Sequence, residues 1–116
     1  MKMMHVTIQT RHFDEEVRFF QEIIGLTVRQ EMNGMGQHIV FLDDNNGGMP
    51  IEIIDRPDAE NGGNQFLSMG YKTEDVDKTR ETLIAKGYEV SEIVSPMPHV
   101  KFFFAKTPAG VTIQFM

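Results

Sequence analysis

The chain repeats itself once, and this internal repeat limits the possible folds more than any other feature of the sequence. A shift of 62 residues aligns glycines, valines and apolar segments of the two halves: Gly25 with Gly87, Val28 with Val90, Val40-Phe41 with Phe102-Phe103, and Ile51-Glu52-Ile53 with Ile113-Gln114-Phe115. A unit of about sixty residues that occurs only twice is too long and too seldom repeated for a solenoid. The repeat therefore indicates that one supersecondary unit has been duplicated.

The first half predicts one helix. Its apolar residues recur at spacings of four, three and four, namely Phe13, Val17, Phe20 and Ile24, which lines one face of a helix. Glu15 and Glu16 lie near the start, where the helix dipole favours negative charge. Gly25 supplies the usual C-terminal stop.

The second half predicts a second helix from a weaker stripe, which consists of Val76, Thr79 or Arg80, and Leu83. Thr73 and Asp75 are the candidates for its N-cap, and Gly87 ends it. Helix periodicity is therefore present in both halves of the repeat.

The remaining segments alternate or run apolar between Asn, Gly and Pro clusters, which is typical of strands. They cover residues 4–10, 26–31, 37–42, 50–55, 66–72, 88–94, 100–105 and 111–116. The order is strand, helix and three strands, twice over, which predicts the α+β class. We expect a single domain over 1–116 with modules at approximately 1–57 and 65–116, joined by the polar, Gly-rich stretch 58–64.

Composition excludes several classes of protein. The net charge of −6 argues against a nucleic-acid partner, because neutralising phosphates needs an excess of Lys and Arg. No stretch approaches the roughly eighteen apolar residues of a membrane span, so no membrane partner is expected. The chain has no cysteine, which excludes disulfides and thiolate metal sites and suits a cytoplasmic location.

Four short motifs, in this order and spacing, resemble the vicinal oxygen chelate superfamily, which includes glyoxalase I, bleomycin resistance proteins and extradiol dioxygenases. They are His5-Val6-Thr7-Ile8, Ile24-Gly25-Leu26, Ile51-Glu52-Ile53 and the closing Thr107-Pro108-Ala109-Gly110-Val111-Thr112-Ile113-Gln114-Phe115. The family ending typically reads Asp-Pro-x-Gly-x-x-Ile-Glu. The resemblance implies two tandem βαβββ modules that form curved mixed sheets around a pocket, with the helices outside.

The resemblance also implies a set of metal ligands, one on the first and one on the fourth strand of each module. Carried over by position, these are His5 and Glu52 in the first module, and Ser68 and Gln114 in the second. The second pair departs from the family pattern, which has His or Gln and then Glu. These ligand types suit Ni²⁺, Co²⁺, Zn²⁺ or Mn²⁺, although Ser68 is the doubtful member.

The assignment of Ser68 depends on strand parity, because the shift of 62 residues aligns His5 with Leu67 instead. Leu67, Met69 and Tyr71 form an apolar face suited to packing under a helix. Ser68, Gly70 and Lys72 are then left to face the pocket.

Two functions follow from this resemblance, and a third is weaker. The favoured one is a metal-dependent lyase or isomerase of glyoxalase I type. Glu52 would be its catalytic base, since the amide of Gln114 cannot accept the proton. The alternative is a metal-free protein of bleomycin-resistance type that sequesters a ligand between acidic and aromatic groups. The third and weaker hypothesis is a regulatory or carrier module that retains only the pocket.

Further residues are predicted to contact a small-molecule ligand. Thr7 shares the strand face of His5, and His99 lies at a loop–strand junction near the expected pocket mouth. Either Phe102 and Phe104 or Phe103 alone should line the pocket and favour an apolar or aromatic ligand. His38 is a weaker candidate. Family members of this size usually pair, so a homodimer is expected, with each site built within one chain or across two.

Overall fold

A computed structural model of the chain describes residues 1–34, 36–61 and 66–116. The chain divides into two compact units, Met1–Asn61 and Gly62–Met116. Each contains a four-stranded sheet and one α-helix in the order strand, helix, strand, strand, strand. The α+β class and the tandem βαβββ organisation are thereby confirmed. Positions 62–64 of the linker-like stretch lie outside the described residues.

Unit 1 consists of β1 (Val6–Thr10), α1 (Phe13–Phe19), β2 (Thr27–Gly34), β3 (Gln37–Asp43) and β4 (Ile51–Asp55). Its strands are ordered β1-β4-β3-β2. β1 and β4 run parallel, and the other pairs are antiparallel. A parallel pair needs a crossover connection, and α1 lies on that connection and packs against β1 and β4.

Unit 2 repeats this plan with β5 (Ser68–Tyr71), α2 (Val76–Ala85), β6 (Val94–Met97), β7 (Val100–Lys106) and β8 (Thr112–Phe115). Its strands are ordered β5-β8-β7-β6, and β5 runs parallel to β8. Asp75 caps α2, since its side chain accepts a hydrogen bond from the Lys78 N–H at 3.0 Å. Gly87 follows the helix with φ 86°, a conformation that suits glycine.

One face of each sheet is buried by its own helix. In unit 1 the buried apolar strand residues are Ile8, Val40, Leu42, Ile51 and Ile53, and in unit 2 they are Phe103, Ala105, Ile113 and Phe115. The alternation of a strand sends the intervening residues to the opposite face. We call that opposite side the open face of each unit.

The first helix differs from its predicted form. α1 ends at Phe19, and Phe20–Ile24 continues as a π-helical turn that ends at Gly25 with φ 87°. The wider turn brings both Phe19 and Phe20 into the core, where each is fully buried. Glu16, in the first turn of α1, is also fully buried. Along the helix it lies between Phe13 and Phe20.

The predicted strand at 88–94 is wrong. The strand β6 begins only at Val94, and before it Val90 forms just an isolated bridge with Ala105. The Ser91 N–H donates to the Phe104 carbonyl at 2.7 Å. The Phe104 N–H, however, donates to the Ser91 hydroxyl at 2.8 Å instead of to a backbone carbonyl. β6 itself carries Pro96, which an edge strand tolerates because one side of it needs no N–H donor.

Neither α-helix in the described part of the chain is long and apolar enough to cross a membrane.

Candidate functional site

The open face of unit 1 carries a threonine and a glutamate side by side. Thr7 and Glu52 are register partners in the parallel strands β1 and β4. Because such partners project to the same side of a sheet, the Thr7 hydroxyl reaches the carboxylate and donates to its Oε1 at 2.5 Å. The pairing holds one oxygen of Glu52 in place.

His5 completes this group from the residue before β1. Its Nε2 lies 3.4 Å from Glu52 Oε1, the oxygen that also accepts from Thr7. The imidazole meets the Phe41 ring edge to face, with centroids 5.5 Å apart and planes at 86°. The side chains of His5 and Glu52 keep 33% and 15% of their exposure, so both remain accessible.

The distance between His5 and Glu52 suits two ligands of one cation better than a direct hydrogen bond. Ordinary N–H···O bonds measure about 2.7–3.2 Å. Two ligand atoms each about 2.0–2.1 Å from a tetrahedral metal are about 3.4 Å apart, and the observed separation is 3.4 Å. The Thr7 hydroxyl would then play the outer-shell role that fixes a carboxylate ligand. The spacing of this ion pair is therefore compatible with two ligands of one divalent cation.

Glu52 and His5 are nevertheless a pair and not a complete cage. Among residues 1–34, 36–61 and 66–116, no three His, Asp or Glu side chains are grouped so as to hold an ion. The additional ligands implied by the resemblance, Ser68 and Gln114, are a hydroxyl and an amide, and both belong to unit 2.

From Ser68 onward the strand parity in unit 2 is the one that the sequence predicts, but Leu67, which was predicted to pack under the helix, precedes β5 and is 68% exposed. Met69 pairs with Ile113, and Ile113 is buried. Ser68 pairs with Thr112 on the open face, and Gly70 pairs there with Gln114. A Cβ built at Gly70 would lie 3.9 Å from Gln114 Oε1, so the Gln114 amide lies over the glycine.

The phenylalanines of β7 divide between the two faces. Phe103 is fully buried and stacks on Phe115, with ring centroids 5.2 Å apart. Phe102 and Phe104 lie on the open face, half-buried and in edge-to-face contact at 5.7 Å. Phe104 is the register partner of Gln114. Of the two alternatives left by the sequence, the pair Phe102 and Phe104 is the one outside the helix-covered core.

His38 lies on the other face of its own sheet, and His99 lies in a turn of unit 2. His38 Nε2 is 2.5 Å from Glu31 Oε1, and its ring packs on Phe13 of α1 at 4.5 Å. His38 therefore lies on the α1 side of the sheet and does not belong to the open face. His99 is exposed in the turn between β6 and β7.

Sequence reasoning missed two polar residues of the open face of unit 2. Lys106 and Thr112 are register partners there, and Lys106 Nζ donates to Thr112 Oγ1 at 2.7 Å. The parity of β7 was the available signal, since Lys106 follows Phe102 and Phe104 at steps of two.

Comparison with known proteins identifies a shared family model and a shared fold. The model of the Glyoxalase/Bleomycin resistance protein/Dioxygenase superfamily matches residues 2–115. A comparison with curated proteins gave no match.

Three solved structures illustrate the fold. The trypanothione-dependent glyoxalase I of Leishmania major has a TM-score of 0.81 at 16% identity, covering 100% of this chain and 86% of that chain. A variant of the fosfomycin resistance protein FosX of Listeria monocytogenes, complexed with Mn(II) and dihydroxypropylphosphonic acid, has a TM-score of 0.82 at 13% identity, covering 98% and 89%. A possible glyoxalase from Bacillus cereus has a TM-score of 0.75 at 19% identity, covering 100% and 98%. At these identities the likeness shows the fold alone.

Proposed function

This chain belongs to the Glyoxalase/Bleomycin resistance protein/Dioxygenase superfamily, and we propose that it is a metal-dependent lyase or isomerase that works by proton transfer on a small molecule. His5 and Glu52 are its proposed metal-holding pair, and Glu52 is its proposed catalytic base. The observation that carries the proposal is the 3.4 Å separation of His5 Nε2 and Glu52 Oε1 on an accessible sheet face.

The metal ligands in unit 2 remain a prediction from the resemblance. Gln114 is proposed as a further ligand through its amide oxygen, and Ser68 as a weak one through its hydroxyl. Both are acceptable to a borderline or hard divalent cation such as Zn²⁺ or Mn²⁺. A bound cation would polarise the oxygens of the substrate and stabilise the negative charge that develops as a carbon-bound proton leaves.

The two oxygens of Glu52 are suited to different tasks. Oε1 faces His5 and accepts from Thr7, while Oε2 has no hydrogen-bond partner among the described residues. Oε2 can therefore take a proton from carbon and return it to the neighbouring carbon, which moves a double bond or a hydrogen without net gain of protons. Thr7 keeps the carboxylate oriented during both transfers.

The ligand contacts proposed outside the pair are Thr7, His99, Phe102 and Phe104. The half-buried rings of Phe102 and Phe104 offer apolar surface, which favours a substrate with an apolar or aromatic part. Phe104→Ala should therefore raise the substrate KM more than it lowers kcat.

Metal titration tests the proposal directly. We expect calorimetric titration with Ni²⁺ and Zn²⁺ to show stoichiometric binding to the wild-type chain. Glu52→Gln should weaken binding by at least about a hundredfold, since even outer-shell groups cost 10–100-fold. Glu31→Gln is the matched control, because Glu31 also pairs with a histidine, His38, but on the α1 side. Equal losses in both variants would contradict the assignment of the site.

A metal-free sequestering protein of bleomycin-resistance type is the second candidate. It is favoured by the absence of any group of three His, Asp or Glu side chains within the described ranges. Elemental analysis of protein purified without chelator separates the two candidates. Substoichiometric metal, together with no Glu52-dependent heat in the titration, would replace the first candidate with the second.

We also propose that the chain forms a homodimer. This proposal rests on the fact that superfamily members of this size usually pair. Light scattering of the purified chain at micromolar concentration tests this proposal. A mass equal to the 13.3 kDa of one chain would overturn it.

A further inference from the structure

Three polar residues form a row across the open face of unit 2. Ser68, Thr112 and Lys106 are successive register partners on β5, β8 and β7. The Lys106 ammonium donates to the Thr112 hydroxyl at 2.7 Å. The row therefore places one positive charge and two hydroxyl groups side by side.

Lys106 has no carboxylate partner among the described residues. Lys101, on the same strand but the opposite side, pairs with Asp77 of α2. An ammonium carries three donors, and Thr112 accepts only one of them. Lys106 is half-buried, so its stem lies along the sheet while the ammonium keeps two donors that an anion could accept from.

The next row of the same face carries no charge and includes a phenylalanine. It contains Gly70, Gln114 and Phe104 as register partners, and Phe102 packs against Phe104. Gly70 adds no side chain to this row, and Gln114 Oε1 lies 3.9 Å from where a Cβ of Gly70 would be. An apolar surface thus lies directly beside the positively charged row.

We infer that this face binds a small molecule with an anionic oxygen-bearing group, a carboxylate or a phosphate, attached to an apolar or aromatic body. Lys106 and the Thr112 hydroxyl receive the oxyanion, and Phe102 and Phe104 contact the body. The inference rests on the proposed assignment of these phenylalanines to ligand binding, and it does not depend on a metal at His5 and Glu52. A net charge of −6 disfavours anions in general, so a preference for them needs a local cation.

The test compares three probes that share a phenyl ring. Phenylacetate, phenyl phosphate and the neutral 2-phenylethanol are titrated into the full chain at low ionic strength and followed by NMR. We expect at least one anionic probe to bind about tenfold or more tightly than the alcohol, as a charge-assisted contact does. The anion that binds more tightly identifies the carboxylate or the phosphate as the preferred group.

Two lysine variants locate the effect. Lys106→Gln should abolish the preference for the anionic probe, while its amide can still donate to Thr112. Lys101→Gln, the matched change on the other side of β7, should leave the preference intact. The series is repeated with Glu52→Gln, because an anion held by a metal at Glu52 would lose affinity there and one held by Lys106 would not.

Three outcomes would overturn the inference. Equal affinity for the anions and the alcohol would remove the anion site and leave the phenylalanine assignment standing. Failure of all three probes to bind at millimolar concentration would remove both. A preference that Lys106→Gln leaves unchanged, or that Lys101→Gln also removes, would place the charge effect elsewhere.

Discussion

Thr7 and Glu52 are joined by a hydrogen bond of 2.5 Å between side chains 45 residues apart in the chain. The parallel register of β1 and β4 makes this contact possible, since it places the two residues opposite each other. The hydroxyl donates to the same oxygen that faces His5. Thr7 therefore fixes the position of the Glu52 oxygen that faces His5.

Removal of the Thr7 hydroxyl should weaken the proposed metal site. Thr7→Val keeps the shape of the side chain, and we expect it to lower Zn²⁺ affinity by about 10-fold or more, as the loss of an outer-shell partner does. Thr7→Ser keeps the hydroxyl and should retain most of the affinity. Calorimetric titration measures both, and equal losses in the two variants would assign the effect to packing.

Substitution at Ser68 tests the register of the family resemblance. If Ser68 occupies the ligand position, the double change Ser68→His and Gln114→Glu should tighten Ni²⁺ or Zn²⁺ binding by more than about tenfold, since imidazole and carboxylate are stronger ligands than hydroxyl and amide. Leu67→His with Gln114→Glu is the control, because the shift of 62 residues would place the ligand at Leu67. Tighter binding in the control alone would show that the 62-residue alignment is the correct one.

Phe103 and Phe104 are neighbours with opposite surroundings, and they should respond differently to truncation. Phe103→Ala removes a fully buried ring that stacks on Phe115 and should lower the free energy of unfolding by about 3–5 kcal/mol. Phe104→Ala removes a half-buried ring and should cost only about 1 kcal/mol. Urea denaturation measures both, and similar losses would contradict the separation of the two faces.

Local patterns in the sequence were sufficient for most of the fold. Gly25 and Gly87 were predicted to end the two helices, and both adopt positive φ, which is why glycine is needed there. The period of two in β5 placed Ser68 on the face opposite Met69 before any register was known. These features depend on backbone geometry within a few residues, so the sequence alone determines them.

The sequence-based predictions were wrong or incomplete where contacts between residues far apart in the chain determine the local structure. The strand predicted at 88–94 is not regular because the Phe104 N–H donates to the Ser91 hydroxyl, 13 residues away, instead of to a backbone carbonyl. Glu16 was outside the predicted apolar stripe, although Phe13, Glu16 and Phe20 follow the i, i+3, i+7 spacing of one helix face. The proximity of Thr7 to Glu52 and of Lys106 to Thr112 was also hidden, because strand partners cannot be read from one strand.

The loop after β3 provides a prediction about pH. Asp44 accepts hydrogen bonds from the backbone N–H groups of Gly48 and Asn46, both at 2.9 Å. Both bonds favour the ionised carboxylate and lower the pKa of Asp44 from its usual 3.8. The bond from Gly48 has the larger effect and the bond from Asn46 the smaller one. A carboxyl whose pKa is lower in the folded state stabilises the fold at pH above its unfolded value. That contribution should disappear as the pH falls through the lowered folded-state pKa.

Two variants and a carboxyl NMR titration check this prediction. Asp44→Asn cannot titrate, so the stability difference between wild type and Asp44→Asn should shrink as the pH is lowered from about 5 towards 2. Gly48→Ala adds a Cβ that would overlap the Asp44 carboxylate, which must move away from the Gly48 N–H. The pKa of Asp44 should then rise towards 3.8. A wild-type pKa at or above that value would refute the proposed role of the two N–H groups.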